Sequence, residues 1–127
     1  MGLFDSLRSI GSAIYRALQK LWASLKEVVA KIIRGALNFF RNVVDRFKRM
    51  YLDPRKDNPF IIDLDNCPEL REKIKNAPHV DCGIFSAVYD EETDQIKNFE
   101  TVVAESFDEK TEEVLSHASE DGIVVLQ

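Results

Sequence analysis

Residues 3–52 read LFDSLRSIGSAIYRALQKLWASLKEVVAKIIRGALNFFRNVVDRFKRMYL, and the reading of this stretch decides the fold. It contains no proline, and its apolar residues recur at steps of three and four, the period of an amphipathic helix. On a wheel of about 100° per residue the large apolar side chains share one arc. Asp5, Ser9, Ser12, Arg16, Lys20, Ser24, Glu27, Lys31 and Arg34 fall opposite them. An approximate 18-residue repeat aligns Leu3 with Leu21 and Phe39, Phe4 with Trp22 and Phe40, and Leu7 with Leu25 and Val43. That period is about five helical turns, so the stripe runs straight along the axis instead of winding into a heptad seam. A continuous helix of this length would reach about 73 Å, against a radius of gyration near 14 Å for a compact chain of this size. The expectation is a long N-terminal amphipathic helix, either broken near Gly35 so that residues 36–51 return toward the rest of the chain or continuous, with Gly11 and Gly35 allowing close packing.

Downstream, residues 53–59 (DPRKDNP) hold two prolines and no apolar side chain, the composition of a linker. Phe60 to Leu64 reads as a strand, and Asn66 with Glu69 resembles a capping box opening a short helix that stops at Ala77-Pro78. Val80 to Tyr89 and Ile96 to Ala104 read as strands around the polar turn Asp90 to Gln95. Ser106 with Glu109 opens a second helix ending at Gly122, and Ile123 to Leu126 is a final strand. The organisation is thus a helical arm over 1–52, a linker over 53–59 and a small α+β domain over 60–127. Its βαββαβ order permits a ferredoxin-like sandwich or a related sheet. About 68 residues bury little core alone, so Phe39, Phe40, Phe47 and Tyr51 are expected to support the domain.

Charge divides the chain the same way. Residues 1–52 carry ten Lys or Arg against three acids, +7, and residues 53–127 carry seven against nineteen, −12. With 45% hydrophobic residues the chain is not disordered. Arg8, Arg16, Lys20, Lys26, Lys31 and Arg34 interrupt the stripe too regularly for a spanning helix, and Asp5 fits poorly with a cleavable signal.

Little points to catalysis. Cys67 and Cys82 have no partner at a known spacing from His79 or His117, and no phosphate-binding loop, GxSxG or HExxH occurs. Two cysteines suit a reducing compartment. Asp63 and Asp65, flanking Leu64, could share a divalent cation, but turn capping is the commoner role of such residues. Asp90, Glu91, Glu92 and Asp94 read as a solvated turn. No enzyme, cofactor or metal is expected.

Gly2-Leu3-Phe4-Asp5, followed by a basic amphipathic helix, resembles the opening of short amphibian membrane-active peptides of the aurein and citropin type, over residues 2–22. The resemblance implies binding to a membrane surface. Gly2 and Ser6 also match the N-myristoylation pattern. The expected function is therefore a cytoplasmic, peripheral membrane protein. Phe4, Leu7, Ile14, Leu18, Leu21, Trp22 and Leu25 would enter an anionic surface, with Arg8, Arg16, Lys20, Lys26, Lys31 and Arg34 on its headgroups. The acidic domain would mediate protein interaction or regulation. The alternative is a structural or assembly subunit whose helix packs in a bundle with a protein partner or with further copies. Ordinary core packing suits the stripe as well. The acidic domain weighs against nucleic acid.

Overall fold

Val28, Val29, Ile32 and Ile33 crowd β-branched side chains into six positions, and such residues pack better on a pleated surface than in a helix. In the computed structural model, which describes residues 3–76, 82–119 and 121–126 with side chains from Ile10 onward, the helical run stops at this point. Helix α1 spans Leu3–Ser24, and strand β1 spans Lys31–Leu37. The expected long helix is corrected accordingly. β1 pairs in parallel with a strand some seventy residues later, matching Lys31 to Val102 and Ile33 to Ala104. Gly35, at φ +88°, makes the bulge that shifts the register before Ala36 meets Ser106. A glycine reaches that backbone conformation without steric cost.

A π-helical turn, Phe40–Val44, then runs into the short helix α2, Asp45–Lys48. Beyond it the expected βαββαβ order is present: β2 Asp57–Asp63, α3 Pro68–Arg71, β3 Cys82–Asp90, β4 Gln95–Phe107, α4 Glu109–Leu115 and β5 Ile123–Val125. Residues 57–59, expected in the linker, belong to β2. Helix α3 ends at Arg71, short of the expected stop at Ala77-Pro78, which itself lies outside the described residues, and its N-cap is Cys67 rather than Asn66. Helix α4 ends at Leu115 rather than Gly122, and its cap is Asp108, not Ser106. One Asp108 carboxylate oxygen accepts from the Thr111 amide at 2.9 Å and the other from the Phe39 amide at 3.1 Å, tying α4 to the end of the first half.

The five strands form one mixed sheet in the order β1-β4-β3-β2-β5, antiparallel except for β1 with β4. This departs from the ferredoxin-like arrangement, because β3 lies between β2 and β4 and both faces of the sheet are covered. On one face Ile14, Leu18 and Trp22 of α1 join Leu70 of α3 over Phe60, Ile62, Phe85, Tyr89 and Ile123. On the other, Phe39, Val43 and Phe47, at helical steps of four, pack on Ile61, Ile84, Val88, Val102 and Val124, with Val114 and Leu115 of α4 beside them. Phe39 and Phe47 thus support the sheet as expected, whereas Phe40 and Tyr51 are exposed.

Candidate functional site

The apolar stripe of α1 is spent largely on the chain's own sheet. Ile14 and Leu18 are fully buried, and Trp22, 4% exposed, meets Phe85 edge to face at 5.0 Å between ring centroids. Leu21 and Leu25 are half-buried at the border of the same cluster. The expectation that Ile14, Leu18 and Trp22 present a free face to lipid or to a bundle is therefore corrected. An apolar periodicity reveals that a face is covered, not what covers it. Phe4, Leu7 and Arg8 fall outside the described side chains, and Gly2 outside the described residues. Trp22 emission is accordingly expected to be blue-shifted in buffer already and to stay in place when anionic vesicles are added. A red maximum in buffer that moves with lipid would place the ring outside the core.

The two halves meet through apolar contacts more than through their opposite charges. Arg46 to Glu100, at 3.5 Å, is the single ion pair between them among the described residues. Arg16, Lys20, Lys26, Lys31 and Arg34 are all exposed, and none has an ion-pair partner among the described residues.

What the fold leaves open is the β1 flank. After α1 the chain is pinned by the segment that follows α3. The Lys73 ammonium donates to the Trp22 carbonyl, the Val28 amide donates to Lys73 O at 2.8 Å, and the Asn76 side chain clips both the amide and the carbonyl of Ala30. Val29 and Ile32 then stand 73% and 57% exposed at the sheet edge.

Across from them a bulge in β4 sets Asn98 and Phe99 against the single residue Ala87, with Asn98 at φ +52°. Arg46 reaches over to donate to the Asn98 carbonyl. Burial lowers the pKa of that guanidinium, partly opposed by Glu100. Bulges re-aim side chains, and here Phe99 lies stacked on Phe85 at 5.8 Å yet 44% exposed. Between Phe99 and the α1–β1 connection lies an open groove of about 430 Å³, with Leu25, Val28, Val29 and Phe99 on its apolar wall and Glu27, Lys31, Glu100 and Thr101 on its polar one. A second groove, about 460 Å³, separates α1 from the β3–β4 turn. Of the flank, sequence reasoning had named Leu25, Lys26, Lys31 and Arg34; Val29, Ile32 and Phe99 were missed. The β-branched density at 28–33 was the one available signal.

The remaining candidates resolve into structural roles. Asp63 accepts from the Asp65 amide at 2.9 Å and caps the turn Leu64–Asn66, while Asp65 pairs with Arg71. Among the described residues no cluster of His, Cys, Asp or Glu is arranged to hold a metal. Burial pushes the Cys67 thiol up to about 12, so it stays protonated. Asp90, expected in solvent, is buried; it accepts from the Glu92 and Thr93 amides and organises the turn.

Lys97 lies between Asp57, at 2.9 Å, and Asp90, at 3.2 Å. Burial alone would raise both carboxyls, but hydrogen bonds from Lys97 and from backbone amides outweigh it and hold them below their ordinary value of 3.8. The same contacts, led by the Asp57 hydrogen bond, raise Lys97. Depressed carboxyl values contribute stability that is present above about pH 4 and lost as pH falls through the folded values; the raised lysine contributes below its ordinary 10.5 and is lost as pH climbs above it. Chemical denaturation against pH should show stability falling below pH 4 in the natural chain. Lys97→Met should be less stable at neutral pH with a shallower acid limb, and an unchanged limb would remove Lys97 from that role.

No helix among the described residues is long and apolar enough to cross a membrane. Comparison with protein-family models, with curated protein sequences and with solved structures finds no match for this chain.

Proposed function

We propose that this chain is a non-catalytic docking module that holds a protein partner through the β1 flank of its sheet. The observation that carries the reading is the coincidence of an edge strand with no described strand on its outer side, an open groove with both apolar and charged walls, and exposed Val29, Ile32 and Phe99. Exposed apolar groups gathered at one place on a folded chain are a mark of an interaction surface. The acidic half then supplies most of the scaffold and Phe99, and the basic first half supplies the edge strand of the flank. The test is a benzophenone amino acid at position 32, illuminated in the native cells, with position 119 as control. The expected result is one adduct of defined mass from position 32, competed away by excess unlabelled chain and absent from position 119. No adduct, or the same smear from both positions, would end this reading.

A second reading rests on five exposed cations that have no ion-pair partner among the described residues. In it the chain is peripherally attached to an anionic, cytoplasm-facing membrane, with Gly2, Phe4, Leu7 and Arg8 at the contact. Each cation near such a surface contributes about 1 kcal/mol, a term that salt screens. Co-sedimentation with anionic vesicles that disappears at high salt, and in the Lys20→Gln, Arg34→Gln double variant, supports it. Equal sedimentation with neutral vesicles would not.

A further inference from the structure

We infer that the occupant of the β1 flank is an acidic, extended peptide segment that adds to the sheet as a sixth strand. This rests on the docking reading and adds the chemistry of the partner. Among the described residues β1 has a strand, β4, on one side only, and although Val28 just before it bridges to Ile74, no described strand lies along the outer side of its seven residues. Strand addition draws its affinity from such main-chain groups and its specificity from pockets beside them. The opposite edge, β5, offers only three residues. The groove at the start of β1 is of a size to take an apolar side chain of the incoming segment.

Charge selects the occupant. Lys31 and Arg34 are the only charged residues of β1, with Lys26 just before it, and all three are exposed and lack ion-pair partners among the described residues. Over residues 10–52 nine cations face Glu27 and Asp45, and among the described residues Arg46 alone is neutralised by the acidic half. A second copy pairing β1 with β1 would bring these cations against each other, and charged edge positions of this kind discourage self-association. An acidic strand meets the opposite condition. Glu27, exposed before β1, and Glu105, exposed in β4 between the partners of Ile33 and Ala36, offset part of this charge, so the favoured register sets its acidic side chains beside Lys26 and Lys31.

The probe is a short fluorescent peptide alternating Glu with Val, read by anisotropy and by amide chemical shifts of the full chain. Shifts are expected along residues 29–37 and at Phe99. N-methylation of alternate peptide amides should abolish binding, and Lys31→Glu with Arg34→Glu should weaken it about tenfold at low salt, as two reversed surface charges imply. An unchanged melting temperature of that variant shows that the fold is kept. A Lys-for-Glu peptide that binds equally would overturn the acidic chemistry while leaving the docking reading, which the position-32 adduct tests separately. Equal binding of the N-methylated peptide, shifts elsewhere, or shifts with anionic vesicles only would each overturn strand addition.

Discussion

A chain lacking residues 1–34 is expected to show no cooperative melting transition and to aggregate. The deletion removes Ile14, Leu18 and Trp22 from the larger core cluster and uncovers Phe60 and Phe85, both fully buried. Full burial of one such side chain is worth about 1.5–3 kcal/mol, so the three together rival the roughly 5–15 kcal/mol by which a whole domain is stable. Most of β1 goes as well, leaving β4, a thirteen-residue strand, as a bare edge. Calorimetry or circular dichroism checks this directly. If residues 35–127 melt cooperatively with the natural far-ultraviolet signature, α1 is an appendage and the three-layer description fails.

The contrast between the two halves shows what a sequence can carry. In the second half the strands are short apolar runs, the hairpin turn is polar and the order of elements was legible, because local signals and tertiary pairing agree. Even there, Asp108 rather than Ser106 caps α4, since Asp108 also reaches the Phe39 amide, a contact 69 residues away that no local pattern encodes. In the first half, Val28 to Leu37 satisfies helical spacing and strand composition at once. The parallel pairing with β4 and the positive φ at Gly35 decide in favour of a strand. The stripe from Ile14 to Leu25 was legible as an apolar face, but its partner was not, because lipid, a bundle and a sheet all ask for the same periodicity. The flank was the least legible part. Phe99 reaches it through a bulge held by Arg46, and bulges leave no reliable trace in hydropathy.

Leu18→Asp is expected to unfold the chain at neutral pH, whereas Arg16→Gln and Lys20→Gln on the same helix should change stability by no more than about 0.5 kcal/mol. Leu18 is 1% exposed within the cluster that holds Trp22 and Phe85. Removing a leucine side chain from such a site costs about 2–5 kcal/mol. The aspartate adds the cost of an ionised group among apolar neighbours, which is paid in full only while the carboxyl is charged. A buried carboxyl without a partner has a folded value raised above the unfolded one, so the penalty grows as pH rises past about 4 and eases below it. The variant should therefore regain structure as pH falls toward about 4, above the range where the natural chain loses stability through Asp57 and Asp90. Leu18→Ala, destabilised at every pH, separates this charge effect from the loss of packing. A Leu18→Asp chain that melts like the natural one but no longer sediments with anionic vesicles would mean that α1 leaves the sheet to meet the membrane. The docking surface at β1 would then have to be sought on a sheet whose other face is open.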